Sequence, residues 1–298
     1  MRMSLHAMIT LIWAMLAAVT TSSCALLAEG AAFEQGRKVG VIQSPLIAEA
    51  SGLTASRRNP GALWVHNDSG DGPRVYAVNL KGELLAVHTV AGARARDWED
   101  IAIGPGPQSG ADYLYIGDIG DNLGRYPSVV IYRVQEPAVD PNGRGLEGRT
   151  RLAEAITLVY PDGPRDAETL LVDPLTRDLY VISKRDLFSR VYRAVYPQST
   201  SQTVGLELVC LLPWGLATGG DVSPDGKMVC MRSMYWASLW HRDPGQPLWT
   251  AFRGKTWTIP LAPEPQGEAI GFDSNGLGYF TVSEGKNPPI YYFAPAPH

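Results

Sequence analysis

The sequence has few of the residue types that dominate common catalytic and metal sites. Its 298 residues include only three cysteines and five histidines. It contains no Gly-x-Ser-x-Gly elbow, no His-Glu-x-x-His pair and no phosphate loop of the Walker type. Those motifs position a nucleophilic serine, a zinc ion and a nucleotide phosphate, respectively. The chain therefore lacks the sequence signatures of serine esterases, zinc peptidases and P-loop nucleotide hydrolases.

Charge is also sparse. Charged residues make up 19% of the chain, the formal net charge is −4, and no segment forms a basic patch. Nucleic-acid binding requires concentrated positive charge, and disordered chains combine high net charge with low hydrophobicity. We therefore predict a folded protein that binds no nucleic acid. The length suits one large core, and we expect a monomer.

Long apolar runs are absent except near the N-terminus. Arg2 precedes an apolar stretch at residues 7–18, and small residues surround Cys24. This order is typical of a secretory signal, and the stretch is shorter than the roughly 20 residues that a membrane-spanning helix needs. We expect residues 1–30 to be a signal peptide, or a lipoprotein signal acylated at Cys24. The mature chain would be secreted or periplasmic, without a transmembrane helix.

Two cysteines remain in the predicted mature domain, residues 31–298. These are Cys210 and Cys230, and an oxidising compartment would permit them to pair. Both lie in apolar, strand-like segments, where a reduced thiol serves as a small hydrophobic side chain. The sequence leaves a disulfide and two buried thiols as alternatives.

An internal repeat determines the predicted fold. Residues 96–101 read Arg-Asp-Trp-Glu-Asp-Ile, and residues 165–170 read Arg-Asp-Ala-Glu-Thr-Leu. A third copy lies at residues 266–270, and weaker copies lie at 49–53 and 218–222. Strand-like runs separated by turn residues follow each copy. Repeats of this kind, made only of strand signals, indicate an all-β fold of the β-propeller type.

Five repeat units account for the chain after the signal. The last unit offers only three strands, at residues 269–272, 278–282 and 290–293. A fourth is available at residues 37–42, and lending it to the last unit would remove an exposed sheet edge. We predict a single five-bladed propeller closed by this N-terminal strand. Six blades are the alternative and would require one unit to be split.

The repeat places one residue of each unit at the predicted central channel. The innermost strand of each blade lines the channel, so the position two residues before the Ile or Leu of the repeats, and the aligned position in the fourth unit, where Gly220 replaces the Ile or Leu, face one axis. We call these positions the ring: Ser51, Glu99, Glu168, Thr218 and Glu268. Four further acids lie beside the ring in the sequence: Glu49, Asp97, Asp166 and Asp221.

Converging carboxylates repel each other and require protons, basic partners or a metal ion. Oxygen ligands favour Ca²⁺ or Mg²⁺ over zinc, and we expect Ca²⁺ as the cofactor. The candidate metal ligands are Glu99, Glu168, Glu268, Asp221 and Glu49, and the first three are also the candidate catalytic residues. Alternatively, Arg96 and Arg165 neutralise these acids in ion pairs that only hold the blades together.

Polar loops between the second and third strands of the blades should lie on the same face as the ring. Their candidate ligand-binding residues are His66, Asn67, Asp68, Asp118, Asn122, Lys184, Arg185, Arg232 and Lys286. The basic members come from three blades and would oppose the acidic half of the channel. Such a division suits an anionic group bridged to a metal ion. Alternatively, these basic side chains are solvated or pair with the acidic loops.

Several motifs carry a resemblance to known proteins. They are Ser51-Gly52-Leu53, the segment 63–70, Asp97-Trp98-Glu99-Asp100-Ile101-Ala102, the segment 115–122 and the segment 265–270. Together they resemble a group of exported bacterial β-propeller proteins over essentially the whole mature chain. More distantly, the Glu-x-Ile repeats resemble phytase-like esterase propellers and other calcium-dependent propeller hydrolases. That resemblance implies Ca²⁺ at the channel mouth and ester or phosphoester hydrolysis, although Ser51 and Thr218 replace acids in the ring.

Three functions fit this pattern. The leading hypothesis is a small polar or anionic ligand site at the channel mouth, with a divalent cation that supports ester or phosphoester hydrolysis. In that case a ring glutamate serves as the base. The second is a non-catalytic propeller that binds a protein or a glycan at the cell envelope. The third is a five-bladed glycosidase that uses two channel carboxylates.

Overall fold

The computed structural model describes residues 33–297, and these form an all-β molecule of five sheets arranged as a five-bladed propeller. Each sheet is one blade, so the prediction of five blades is confirmed and the division into six is wrong. The predicted signal at residues 1–30 lies outside the described residues. Within the described chain, no helix is long and apolar enough to cross a membrane.

Short, β-branched and aromatic segments form the strands, and turn residues end them. The turn after the third strand of blade 1 shows how. There the Asn79 side chain accepts hydrogen bonds from the N–H groups of Lys81 and Glu83. Gly82 supplies the positive φ of 86° that this turn requires.

The first two blades each contain five strands. Blade 1 comprises Ala50–Ala55, Ala62–Asn67, Arg74–Asn79, Leu84–Ala91 and Leu146–Leu152. Blade 2 comprises Trp98–Pro105, Asp112–Asp118, Val129–Gln135, Glu154–Val159 and Val204–Gly205. The fifth strand of each blade pairs parallel to the fourth and comes from a later part of the chain. The sequence did not predict these two edge strands.

The other three blades each contain four strands. Blade 3 comprises Ala167–Val172, Leu179–Ser183, Arg190–Ala194 and Glu207–Leu211, and blade 4 comprises Gly219–Val222, Met228–Arg232, Ala237–His241 and Trp257–Ile259. Blade 5 comprises Gly267–Phe272, Tyr279–Ser283, Pro289–Phe293 and the N-terminal strand Arg37–Val41. This last pairing is antiparallel and confirms the predicted closure. A short 3₁₀ helix, Leu248–Arg253, precedes the outer strand of blade 4.

The core is divided among the interfaces between blades. Five hydrophobic clusters each join residues of two adjacent blades. Trp64, Trp98 and Trp240 are fully buried in these clusters. Each large ring therefore locks one blade to the next, which fixes the geometry of the channel that the innermost strands line.

Both described cysteines are free thiols, so the disulfide alternative is not observed. Cys230 is fully buried, and Cys210 is half-buried with its thiol 3.9 Å from the Trp249 carbonyl oxygen. Burial raises the pKa of Cys210 to about 11, as expected for an unreactive thiol in an apolar setting.

Candidate metal centre at the channel mouth

A β-bulge places the ring residue in four of the five blades. In blade 2, Trp98 pairs with Asp118 and Asp100 pairs with Gly117, which leaves Glu99 outside the strand register. The same interruption occurs at Ser51, Glu168 and Glu268. A bulge bends the strand and redirects the side chain of the extra residue. The same β-bulge therefore orients four of the ring side chains, near the start of the innermost strand of each of these blades.

Thr218 completes the ring in blade 4 without a bulge. It directly precedes the strand Gly219–Val222 and is fully buried, and its hydroxyl has no hydrogen-bond partner within the described chain. Ser51 donates a hydrogen bond of 2.7 Å to the Glu99 carbonyl oxygen. These two neutral members therefore contribute hydroxyl groups where the other blades contribute carboxylates.

The acidic side of the mouth brings Asp68, Asp97 and Glu99 together. One carboxylate oxygen from each lies within 4.8 Å of the other two. Gly120 lies against this group, because a Cβ atom there would overlap the carboxylates of both Asp97 and Glu99. Glu99 is only 3% exposed, and its carboxylate forms no hydrogen bond or ion pair with any described residue. The mouth therefore holds a buried acid that has no direct hydrogen bond or ion pair within the described chain, and that interacts electrostatically with the charge of Lys184.

A second acidic group overlaps the first. One oxygen each from Glu99, Asp166 and Glu168 also lies within 4.8 Å of the others. Here a basic side chain is present, since Lys184 forms an ion pair with Glu168 and its Nζ lies 3.7 Å from Glu268. We expected Lys184 opposite the acids. It lies among them instead and acts as a built-in counter-ion for one half of the ring.

Burial and mutual repulsion shift the acids strongly. Burial first, and then Glu168, raises the pKa of Glu99 well above its usual value. Burial, followed by the charges of Asp68 and Asp166, raises the pKa of Asp97 to about 6. The pKa of Glu168 rises to about 8 because burial outweighs the stabilising effect of Lys184. Groups of one charge sign with raised pKa values are typical of functional sites.

Glu284 joins Glu268 on the far side of the ring. Burial, together with the Glu268 carboxylate, raises the pKa of Glu284 to about 8. The side chain also accepts a hydrogen bond of 3.0 Å from Gln266. The sequence had placed the loop containing Glu284 on this face, but nothing in its spacing singled out that residue.

Two predicted ligand-binding residues instead build the first loop. His66 is fully buried, its Nδ1 lies 2.8 Å from the Asn67 carbonyl oxygen, and its ring packs edge-on against Trp98. Burial lowers the pKa of His66. Asn67 uses its amide oxygen to accept the N–H groups of Ala48 and Glu49. Both side chains support the backbone that carries Asp68.

Three other predicted residues position the acids. Asp118 accepts a 2.9 Å hydrogen bond from the Asp97 N–H and lies 3.6 Å from Arg96. Arg185 pairs with Asp166 at 2.6 Å and also contacts Asn122. Arg185, like Lys184, therefore meets the acidic cluster directly rather than opposing it across the channel.

The remaining predicted residues belong to neither of the two acidic groups, although the Glu49 carbonyl oxygen accepts a 2.9 Å hydrogen bond from the Asp68 N–H. Arg232 is fully buried, pairs with Glu264 at 2.7 Å and fills the space that a side chain at Gly267 would need. Lys286 and Glu49 are exposed. Asp221 accepts hydrogen bonds from the N–H groups of Val222 and Phe272. Phe272 is the last residue of the innermost strand of blade 5, whereas the ring residues lie near the starts of the innermost strands.

Asp221, which the sequence predicted as a metal ligand, lies near the other end of the channel and belongs to neither acidic group. Burial raises its pKa to about 7, and its two oxygens bind backbone donors of blades 4 and 5. Asp100 makes the equivalent link between blades 2 and 3 through Ile101 and Leu170. Both aspartates join blades. Their spacing in the sequence could not distinguish this role from metal binding.

Comparison with known proteins leaves the activity open. No protein-family model matches the chain, and no curated protein sequence matches it. Among solved structures, the chain is similar to a crystal structure of a putative 6-phosphogluconolactonase from Bacteroides uniformis. The identity is 13%, the TM-score is 0.43, and the match covers 86% of this chain and 71% of the other. A similarity at this level assigns neither an activity nor a substrate to this chain.

Proposed function

We propose that the channel mouth binds a divalent cation of the calcium type through Asp68, Asp97 and Glu99. The observation that carries this proposal is the group itself, because one carboxylate oxygen from each of Asp68, Asp97 and Glu99 lies within 4.8 Å of the other two, and Glu99 is only 3% exposed. An unpaired buried charge is costly, whereas a cation would stabilise all three carboxylates at once. Three clustered oxygen donors are the chemistry that Ca²⁺ prefers.

Gly120 supports the same proposal. Any larger residue there would fill the space between the Asp97 and Glu99 carboxylates. The loop that contains Gly120 is fixed by the hydrogen bond between the Gly120 N–H and the Asp97 carbonyl oxygen. This backbone hydrogen bond keeps open the space beside the Asp97 and Glu99 carboxylates. Lys184 satisfies the neighbouring acids, so the unneutralised charge is concentrated on the side of blades 1 and 2.

We further propose that the site hydrolyses a small ester or phosphoester. A bound cation would supply polarisation of the substrate oxygen and acidification of water. Glu168, with a pKa of about 8, is the best candidate to accept the proton of an attacking water at about pH 8 and above, where it is ionised. Lys184 would hold Glu168 in position through their ion pair. Glu268 would act as a positioning residue, by holding Lys184 and Glu284 in place through its contacts with them.

Cation binding is tested by isothermal titration with Ca²⁺ and Mg²⁺. We expect saturable Ca²⁺ binding by the wild type and at least a roughly tenfold loss of affinity in Glu99→Gln, since one charged ligand is removed. The control is Glu147→Gln on the exposed outer strand of blade 1, which should bind like the wild type. Absence of Ca²⁺ and Mg²⁺ binding by the folded wild type would contradict the proposal.

Hydrolysis is tested separately with a panel of lactones, carboxylate esters and phosphomonoesters, each with Ca²⁺ or chelator. We expect turnover of at least one class that requires the cation and is lost in Glu168→Gln while Ca²⁺ binding persists. Cation binding without turnover of any class would favour the non-catalytic binding propeller.

We also propose that residues 1–30 direct export, on the basis of their signal-like sequence. Expression with the native N-terminus should yield a cell-envelope or secreted protein that lacks about the first 25 residues. Intact-mass analysis of wild type and Cys24→Ser separates the two routes, since only a lipoprotein would lose its acyl mass in the variant. An unprocessed cytoplasmic product would contradict export.

A further inference from the structure

Exposed apolar side chains border the channel mouth on the side of blades 3 and 4. We call them the apolar rim: Leu187, Phe188, Leu216, Tyr235 and Trp236. Leu187 is 84% exposed and Tyr235 is 73% exposed. They lie in the loops that follow the second strands of blades 3 and 4 and in the connection between these blades. Neighbouring exposed apolar groups of this kind mark binding surfaces more often than isolated ones do.

The rim is continuous with the acidic ring. The Leu216 N–H donates a 2.9 Å hydrogen bond to the carbonyl oxygen of Lys184, whose ammonium group pairs with Glu168. The Ser189 N–H likewise donates to the Trp214 carbonyl oxygen at 2.9 Å. These two hydrogen bonds join the rim loop of blade 3 to the connection between blades 3 and 4. Lys184 links both segments to the channel.

Aromatic packing supports the rim from below. Trp236 meets Trp214 edge-on at 6.0 Å between ring centroids, and Tyr235 lies 6.3 Å from Trp236. Trp214 in turn stacks on the fully buried Trp240 at 6.2 Å. Because these rings rest on the core, the blade-4 part of the rim is held in place and would lose little conformational entropy on binding a ligand.

The mouth is thus divided in two. Blades 1 and 2 contribute the acids Asp68, Asp97 and Glu99, whereas the apolar rim lies on blades 3 and 4, with Lys184 between the halves. Blade 2 adds two exposed apolar side chains of its own, Leu123 and Tyr126, in the loop after its second strand. A ligand whose polar group lies over the ring would place its remaining atoms on the rim. An entirely polar ligand would leave the rim unused.

We infer that the ligand is amphiphilic, and that it is an ester or phosphoester carrying an alkyl or aryl group which packs on the apolar rim. This inference rests on the proposed function and defines its substrate class. The polar group is recognised at the ring, and the apolar group provides affinity by leaving water.

The test uses a series of n-alkylphosphonates from ethyl to octyl, which are non-hydrolysable and bind Ca²⁺. Their affinities are measured by titration into the Ca²⁺-loaded protein. We expect each added methylene to tighten binding about two- to fourfold in the wild type. In Leu187→Ser/Tyr235→Ser the gain should fall below about 1.5-fold per methylene, with ethylphosphonate and Ca²⁺ binding unchanged.

The control is Leu277→Ser, which removes a leucine that is 60% exposed in a first-to-second-strand hairpin, at the opposite face. It should retain the wild-type dependence on chain length. Normal Ca²⁺ binding with equal chain-length dependence in the wild type and the double variant would overturn the inference alone. Rim-dependent sedimentation with phosphatidylglycerol vesicles, without such dependence, would also overturn it in favour of a membrane. Failure of the wild type to bind Ca²⁺ would instead refute the proposed function on which the inference rests.

Discussion

At the scale of single residues, Glu99 is where stability and the proposed function conflict. In chelator at about pH 8 we expect Glu99→Gln to raise the free energy of unfolding by about 1–3 kcal/mol, because it removes an unpaired buried charge. The raised pKa of Glu99 means that the wild-type carboxyl is protonated in acid, so the difference should vanish at about pH 5. Urea unfolding at both pH values measures it. A variant less stable at both would refute this account of Glu99.

Gly120 offers a second test at this scale. Gly120→Ala should lower Ca²⁺ affinity by at least about tenfold, because the added methyl group displaces the Asp97 and Glu99 carboxylates. The matched control is Gly205→Ala, where a Cβ atom meets nothing within 4 Å. Titration of both variants with Ca²⁺ checks the prediction. Equal affinities would show that the ion, if bound, lies elsewhere.

Lys184 gives the third residue-scale prediction. At about pH 9, where Glu168 is ionised, Lys184→Met should lower the free energy of unfolding in chelator by about 3 kcal/mol, because Glu168 loses its buried partner. With Ca²⁺ present, the variant should bind more cation per chain than the wild type, since the second acidic group is then unneutralised. Calorimetric stoichiometry measures this. An unchanged stoichiometry would show that the second group cannot hold an ion even without its lysine.

At the scale of strands and blades, closure depends on the N-terminal strand Arg37–Val41. A Cβ atom at Gly40 would overlap the backbone of Leu80 and Lys81, where the strand crosses a turn of blade 1. Gly40→Val should therefore destabilise the protein by about 1–3 kcal/mol. Lys38→Val, at an exposed position of the same strand, is the control and should be nearly neutral. Denaturant unfolding compares them, and equal stabilities would refute a structural role for this crossing.

The sequence predicted much at this scale, for clear physical reasons. The alternating apolar residues of the strands and the turn residues between them recur along the chain, so the blades and their closure could be predicted directly from the sequence. The bulges at Glu99, Glu168 and Glu268 could not, although counting back from the repeat apolar residue still identified the side chains they redirect. The edge strand Leu146–Leu152 is mostly exposed, and three of its seven residues are charged, so it has no apolar pattern to find.

Pairings between blades were the least predictable part of the site. Lys184 and Glu168 belong to one blade, but Glu268 comes from another, and only closure of the ring brings it within 3.7 Å of Lys184. Arg232 is a charged residue in a segment that the sequence predicted as a polar loop, which favoured a ligand-binding role. Its burial depends on its contact with Glu264, a residue 32 positions away in the sequence. Local spacing contains no information about such contacts.

At the scale of the whole molecule, pH should control both stability and cation affinity. The pKa values of Asp97, Glu168 and Glu284 are raised to about 6, 8 and 8, so their contribution to stability is present in acid and lost as pH rises through that range. Without metal, the melting temperature should fall from about pH 5 to about pH 9. Ca²⁺ should reverse much of the fall, because it binds the deprotonated acids. Thermal melts across this range check both trends, and a Ca²⁺ effect that is strongest in acid would contradict them.

The most direct measurement is a crystal structure of the protein grown with Ca²⁺ and then exchanged into Mn²⁺, with anomalous difference density calculated at the manganese edge. We predict one strong peak at the channel mouth, bounded by carboxylate oxygens of Asp97 and Glu99 beside Gly120. The Glu99→Gln crystal should lack it. A mouth without anomalous density in the wild type, at cation concentrations that saturate the protein in solution, would contradict a metal centre at this position.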